Sequence, residues 1–369
     1  MFDKFYVAAA SGVESVVKKE LIRMRYTPGS AEYGLVPVKG GAECAAELNM
    51  RLRTAGRVYF TISEGVAETF DELYELVAGI PFKDFLPRDA RVTVDARSHK
   101  SKLFALSAVQ SVTKRAVAAN MGGSMSETGE RYRFLVSIDD DNAKILLDTS
   151  GEPLHKRGYR TYVGAAPLAE TLAAAMLILA GYNGGVLIDP FSGSGTIPIE
   201  AALMATNTAP GLNRSFSFER YPLFSSANAE KVRERLSSEI VDVTPDICGY
   251  DIDPEAVRLA IKHLAAAGLK GKVHFQCRDV KELSSRFSSG HVVTNPPYGV
   301  RLGNERELFK LYKTFGTALK AMPGFTAGIL TAFPFAEKAM GIAADKRRKL
   351  YNASLECNFL LKRGAKARY

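Results

Sequence analysis

The sequence predicts an α/β chain: a mostly parallel, doubly wound sheet in its C-terminal part, preceded by two small α+β units. Three observations predict this. From residue 168 onward, short apolar runs rich in β-branched residues alternate with stretches of helical period, which is the rhythm of βα units. Residues 1–150 hold two shorter passes of strand and helix. Between them, "GEPLHKRGYRTYVGAAP" at 151–167 has no clear period and is rich in Gly, Pro and Arg, as a linker would be. The expected units are 1–65, 66–160 and 161–369.

In the first pass, "KFYVAA" is a short strand. Gly12 to Met24 follows as an amphipathic helix with Val13, Val16, Val17, Leu21 and Met24 on one stripe. "YGLVPVKG" is a strand, "AECAAELNMRL" a helix and "RVYFTISEG" a strand. The second pass begins at Thr69 with helix "TFDELYELVAGI", strand "RVTVDAR" and helix "LFALSAVQSVTKRAVAANM". Strands "RYRFLVSID" and "AKILLDTS" close it, after a polar, Gly-rich tip at 121–130. The larger part opens with helix 168–181, strand "GVLIDP" and helix 195–205. An irregular insert at 206–225 leads to helix 226–239, strand "DICGYD" and helix 254–267. Strands "KVHFQCRD" and "HVVTNPP", a helix at 305–321, strand "FTAGILT" and a final strand pair near 347–361 complete the series.

At 369 residues the chain is long enough for two or three cores. Its apolar runs are too short to span a bilayer, and its N-terminus lacks the long apolar core of a signal peptide. Cys44, Cys248, Cys277 and Cys357 show no CxxC spacing and no histidine cluster, so no metal and no disulfide framework is expected. A cytoplasmic location fits that usage. Cys248 and Cys277 read as core residues rather than nucleophiles. Lys and Arg balance Asp and Glu at 20 each over residues 1–150, so the net charge of +9 lies wholly in 151–369. Lys346, Arg347, Arg348, Lys349, Lys362, Arg363, Lys366 and Arg368 concentrate near the C-terminus. Such an excess suits an anionic partner such as nucleic acid, and equally a solvated surface.

Chemistry gathers at the strand ends, where ligands of doubly wound sheets sit. Strand one ends in "DPFSGSGT", whose Gly193 and Gly195 permit a tight turn and close approach of a ligand to backbone. The loop has neither the lysine of a phosphate-binding P-loop nor a full GxGxxG. Strand two ends in "GYDIDP". Asp251 is placed there to accept from two ribose hydroxyls, whereas Asp253 before Pro254 reads as a helix cap. Strand three ends in "QCRDV", where Asp279 can accept from an adenine amino group. Strand four runs into "NPPY": Asn295, Pro296, Pro297 and Tyr298. Prolines stop a strand because they have no N–H to donate. A rigid corner of this kind is either a surface turn or a pocket wall that presents an amide oxygen, a carbonyl and a flat ring.

Glycine loop, acid, acid and Asn-Pro-Pro-Tyr, in that order, resemble the class I S-adenosylmethionine-dependent methyltransferases of the amino-methylating type, which have a Rossmann-like domain. The resemblance implies that Asp189, Pro190, Phe191, Gly193, Gly195 and Thr196 hold the methionine half of S-adenosylmethionine, Asp251 its ribose and Asp279 its adenine. About 50–60 residues separate the glycine loop from Asp251, against ~20 in a dehydrogenase fingerprint, and residues 206–240 supply the excess as an insertion. The same resemblance makes the corner a clamp. The Asn295 oxygen and Pro296 carbonyl hold the hydrogens of an exocyclic amine so that its lone pair faces the methyl group, and Tyr298 stacks on a base taken out of its helix. Carbon-5 methylation needs a cysteine, and none adjoins 295–298. Ser192 stands where related proteins often carry Cys.

The runs "NMRLRTAGRVYFTI" and "LLDTSGEPLHKRGYR" closely resemble the THUMP-domain RNA guanine-N2 methyltransferases, related to the N-terminal half of the bacterial large-subunit ribosomal RNA enzyme. This implies a ferredoxin-like unit, a THUMP unit and a catalytic domain acting on guanosine N2 in structured RNA. The 23S ribosomal RNA is the first expectation. Transfer RNA, adenine N6 in DNA, and a non-catalytic ribosome-assembly role stay open, and no obligate protein partner is implied. "RSHKSKLF", with Arg97, His99, Lys100 and Lys102, is expected to open a helix and to contact phosphate, or simply to be a solvated helix start. His155, Lys156, Arg157 and Arg160, at the expected domain junction, either touch RNA or lock the domains together, with Lys156 and Arg160 kept as RNA candidates and Arg157 leaning to the structural role.

Overall fold

A computed structural model describes residues 3–123, 126–160, 168–298 and 305–365. In contact terms the chain divides into two compact units that do not follow chain order. One comprises Met1–Ala9, Val17–Leu154 and Arg214–Arg235; the other comprises Ala10–Val16, His155–Asn213 and Leu236–Tyr369.

The first pass forms β1 (Lys4–Ala9), α1 (Glu14–Arg23), β2 (Leu35–Lys39), α2 (Cys44–Arg51) and β3 (Ala55–Val66). The second forms α3 (Phe70–Ala78), β4 (Arg91–His99), α4 (Leu106–Met121), β5 (Arg131–Asp139) and β6 (Asn142–Asp148). Thr69 and Glu72 start α3 with reciprocal side-chain to backbone hydrogen bonds. The sequence suggests a separate sheet for each pass. The structure joins them into one six-stranded sheet, ordered β2-β1-β3-β6-β5-β4. The join is an antiparallel ladder between β3 and β6, from Tyr59 opposite Asp148 to Val66 opposite Asn142. At 12 residues, β3 is long enough to take β1 along one edge and β6 along the other.

The two distinctive runs of this half interlock in its interior. The buried Asn49 amide donates to Thr149 Oγ1 at 2.9 Å and accepts from Ser150 Oγ at 2.6 Å. The Ser150 hydroxyl in turn accepts from the Val58 N–H, and Thr149 donates to the Val58 carbonyl. Arg57 binds Asp148 and the Gly151 carbonyl, and Glu20 accepts from the backbone of Arg53 and Thr54. Buried polar groups require such partners, so these runs join two half-sheets.

The second unit contains α5 (Glu170–Ala180), β7 (Leu187–Asp189), α6 (Thr196–Ala205), β8 (Ile247–Asp251), α8 (Pro254–Ala266) and β9 (His274–Cys277), with α7 (Ser226–Ser238) lying between α6 and β8 in the chain. It continues with β10 (Gly290–Thr294), α9 (Glu305–Lys320), β11 (Phe325–Thr331), α10 (Ala336–Met340), β12 (Lys346–Asn352) and β13 (Leu355–Lys362). Its sheet has the order β12-β13-β11-β10-β7-β8-β9. Only β13 runs antiparallel to its neighbours. The chain winds outward from β7 through β8 to β9, then from β10 to β11 on the other side. The switch point therefore lies between β7 and β10. The fully buried Leu187, Val292 and Val293 fill the centre of the sheet, and the apolar α5 is buried from Leu172 to Leu177. Asp253 caps α8, with Pro254 at its first position.

Several expectations change. Most of the insert, Arg214–Arg235, belongs to the first unit, where Phe224 meets Phe60 edge-on and Tyr221 stacks on Tyr132. "RSHKSKLF" opens no helix: Arg97 to His99 end β4, and α4 starts at Leu106. The linker is ordered and inward-facing over its first part, with Leu154, Arg157 and Tyr159 buried; 161–167 lies outside the described residues. Cys277 is exposed on the edge strand β9, not a core residue, because among the described residues no strand pairs with that side of the sheet. Half of the described basic residues of the C-terminal stretch are matched by carboxylates, through Arg347 with Glu337, Lys349 with Glu356 and Lys362 with Asp345. Lys366 and Arg368 lie outside the described residues. Among the described residues no helix is long and apolar enough to cross a membrane, and no group of His, Cys, Asp or Glu could hold a metal ion.

Candidate active site

The site is assembled from the C-terminal ends of β7, β8, β9 and β10. Asp189 ends β7 and is closed to solvent, with 1% exposure. Its Oδ1 accepts from the Phe191 N–H at 3.2 Å and from the Thr294 hydroxyl at 2.6 Å. Burial pushes its carboxyl pKa up to about 7, and the Asp251 charge adds to the rise, against the two hydrogen bonds. Asp189 therefore shapes the loop rather than presenting an open carboxylate. Pro190 is buried, and Phe191 packs edge-on against Phe315 at 5.3 Å. Gly193 and Gly195 both have positive φ, at 49° and 86°. A Cβ on Gly195 would come within 2.8 Å of the Phe275 ring, so strand packing demands glycine there. A Cβ on Gly193 would meet only open space, which leaves its backbone open to a ligand. Thr196 begins α6 and receives the Arg160 guanidinium at 2.5 Å.

Asp251 ends β8, partly exposed. Its Oδ2 accepts from the Gly193 N–H at 2.8 Å and its Oδ1 from the Asp253 N–H at 3.0 Å. Each oxygen keeps a lone pair for a further donor. Ile252, beside it, is 70% exposed, an apolar surface available to a flat ring. Asp279 follows β9, and its Oδ1 accepts from the Lys281 N–H at 2.9 Å. That backbone donor, with the Lys281 ammonium 3.3 Å from Oδ2, holds its carboxyl below the usual range.

At the end of β10 the side-chain oxygen of Asn295 is buried and has no hydrogen-bond partner among the described residues. An orphaned acceptor of this kind is costly and calls for an explanation. Pro296 behind it is buried, while Pro297 is exposed. The Tyr298 hydroxyl accepts from the Asn352 amide at 2.8 Å and its ring packs at the margin of the core, so one end of the phenol is already anchored. Ser192 Oγ, in the glycine loop, is a second buried atom without a partner among the described residues. These features fit S-adenosylmethionine, whose sulfonium and ammonium are cationic. Asp189 and Asp251 face no cation among the described residues, Gly193 leaves room, and two polar atoms await partners.

Two residues of the site escape the sequence reading. Thr294 shows only as a polar residue closing an apolar strand, and Ile252 only as an apolar residue between two acids. The RNA candidates scatter. Arg97 donates to Ser137 and sits over the Tyr33 ring, His99 pairs with Asp139 at 2.8 Å, and Lys102 pairs with Glu68. Lys100 is exposed at the turn after β4, and Lys156 is exposed too. Arg160 is not a surface residue: it binds Thr196, the Leu168 carbonyl and Glu170, because α5 and α6 both begin around it. Arg157 is buried against Glu200, which also accepts from the Tyr159 hydroxyl.

Family models match the chain along most of its length: an RlmL ferredoxin-like domain over residues 4–59, a THUMP domain over 67–148 and an RMKL-like methyltransferase domain over 157–360. The chain is 35% identical to the Bacillus subtilis (strain 168) protein named "Putative RNA methyltransferase YpsC", with 95% of this chain and 93% of that protein covered. It is also 35% identical to the Ribosomal RNA large subunit methyltransferase K/L of Syntrophotalea carbinolica, covering 97% of this chain but 53% of that protein. The chain thus spans about half the length of the K/L relatives it matches. Among solved structures, "a predicted N6-adenine-specific DNA methylase" from Listeria monocytogenes superposes with a TM-score of 0.91 at 35% identity, over 99% of this chain and 96% of that one. "SMU.472, a putative methyltransferase complexed with SAH" superposes with a TM-score of 0.90 at 34% identity, over 100% and 99%.

Proposed function

The chain belongs to the RMKL-like methyltransferase family, with S-adenosylmethionine as its cofactor, and on that premise we propose that it methylates the exocyclic N2 amine of a guanosine in structured RNA, most plainly 23S ribosomal RNA. The observation that carries the reading is the Asn295 oxygen, buried and without a partner among the described residues, at the end of the strand next to β7. An amine hydrogen would satisfy it. When bound, the cofactor supplies an electrophilic methyl carbon on a sulfonium. Glycine-loop backbone around Gly193, with Ser192, holds its amino-acid end; Asp251 accepts from ribose hydroxyls; Asp279 and Ile252 border the adenine. Asn295 and the Pro296 carbonyl grip the substrate amine so that its lone pair, otherwise delocalised into the ring, is directed outward. The proline pair keeps that carbonyl fixed, and Tyr298 lies flat beside the base.

RNA as the substrate is supported by the THUMP match and by the names of the YpsC and K/L relatives; guanine N2 rests on the family resemblance of the sequence. Of the six RNA candidates, Lys100, Lys102 and Lys156 keep an exposed position and Arg160 is withdrawn. The second reading, adenine N6 in DNA, is favoured by the description of the Listeria relative and by a clamp that grips any exocyclic amine. Nucleoside mass spectrometry on ribosomal RNA, transfer RNA and genomic DNA from a deletion strain and its parent decides between them. Loss of N2-methylguanosine from ribosomal RNA is the expected outcome. Loss from transfer RNA would move the target, and loss of N6-methyladenine from DNA would replace the substrate class. No loss in any fraction, with no methyl transfer in vitro, would return a non-catalytic role.

A further inference from the structure

We propose that Thr294 is a positioning residue, whose hydroxyl aligns the methyl-acceptor corner with the cofactor loop by way of Asp189. The inference rests on the reading of Asn295 and the glycine loop given above. β7 and β10 are adjacent parallel strands, with Val292 opposite Ile188, and they end side by side at the switch point. There a single carboxylate oxygen, Asp189 Oδ1, takes one donor from each side. The Thr294 hydroxyl reaches it from the acceptor strand at 2.6 Å, and the Phe191 N–H from the cofactor loop at 3.2 Å. Thr294 is 0% exposed and Asp189 1%, so water does not compete for the bond.

The position of Thr294 in the chain gives that bond its consequence. The ladder of β10 with β11 has its last pair at Thr294 opposite Ile329. Beyond it come Asn295 and two prolines, which have no N–H to extend the ladder. The Thr294 tie is therefore the last fixed point before the buried Asn295 oxygen, and its other end is the loop that holds the methyl donor. Loop and corner can each keep their own shape without it. Their mutual alignment cannot be held as closely.

The test compares Thr294→Val, which keeps the shape and deletes the hydroxyl, with Thr294→Ser, which keeps the hydroxyl. The probes are S-adenosylhomocysteine for affinity and total RNA from a deletion strain, with radiolabelled methyl donor, for single-turnover transfer. For Thr294→Val we expect transfer to fall about 10- to 100-fold while affinity changes less than about threefold, since misplacement of reacting groups by ~1 Å costs on that order. Thr294→Ser restores transfer. Should the valine variant fail to fold, judged by its melting transition, the Ala and Ser variants are compared in the same way. Equal loss of affinity and rate would overturn the proposal and make Thr294 a strut of the cofactor loop. No loss of either would overturn it as well. Wild-type protein run alongside separates the two readings: an inactive wild type sinks the proposed function and this inference with it, whereas an active wild type matched by Thr294→Val sinks only the inference.

Discussion

The six-stranded sheet and the carboxyl ends of β7 and β8 settle their charges in opposite ways. Across the six-stranded sheet, carboxylates and cations come in pairs on neighbouring strands or beside them: Lys4 with Glu64, Arg57 with Asp148, Arg133 with Asp95 and Lys144 with Glu32. At the C-terminal ends of the seven-stranded sheet, Asp189 and Asp251 accept only from backbone N–H groups and a hydroxyl, with no cation opposite them among the described residues. A surface with its charges already matched offers no unbalanced charge for a small ion to complete, though each exposed pair adds little stability. Two carboxylates left without a countercharge form a place where a cationic ligand completes the electrostatics. The difference separates scaffold from site more clearly than residue type does, since both regions use Asp.

The comparison can be broken most sharply at its polar orphan. Asn295→Ala should lower methyl transfer by about 10²–10³-fold, as loss of one preorganised hydrogen-bonding group does elsewhere, while cofactor affinity stays level. Equal loss of affinity would show that Asn295 serves the cofactor instead. Asp251→Ala should weaken S-adenosylmethionine by roughly 10- to 100-fold, the worth of one or two hydrogen bonds to a charged group, as read by calorimetry. Undiminished affinity would mean that an unpaired carboxylate there is incidental. Acidification probes Asp189. Its pKa is raised to about 7 by burial, so the folded protein without cofactor holds a proton that the unfolded chain releases near pH 4. The stability of the cofactor-free protein should therefore decline as pH rises between those values and level off above about 7. A bound cation favours the ionised form, so cofactor affinity should fall below pH 7 by at most about tenfold per pH unit, and Asp189→Asn should flatten that dependence. The smallest effect belongs to the paired region. Removing Lys4 from Glu64, both partly exposed, should change stability by less than about 1 kcal/mol in denaturant unfolding and leave transfer untouched.

Much of the site is legible in one dimension because each part is a local motif at a strand end. Asp253 before Pro254 reads as a cap and is one, and the order of glycine loop, acids and Asn-Pro-Pro-Tyr already implies a switch point. What is not legible depends on partners distant in sequence. The β3–β6 ladder joins residues more than 70 positions apart, and nothing local to either strand announces it. Arg160 looks like any basic residue in a polar run until α5 and α6 close around it. The tie between Thr294 and Asp189 spans 105 positions, and a strand ending in threonine is commonplace. The acids themselves also mislead: Asp189 looks like a ligand contact in sequence, and burial turns it into a part of the loop's frame.

The placement of Arg214–Arg235 within the first unit has a consequence for biosynthesis. Phe224 and Tyr221, which pack on Phe60 and Tyr132, are made long after the strands that they cover. At about 5–20 residues per second, the ribosome needs several seconds more to add them once residue 160 has been joined. During that interval the nascent six-stranded sheet carries bare aromatic surface and cannot finish its core. A gene truncated after the THUMP segment would freeze the product in that unfinished state. Vectorial synthesis therefore makes the two units of this chain a single folding project, whatever their independence as motifs.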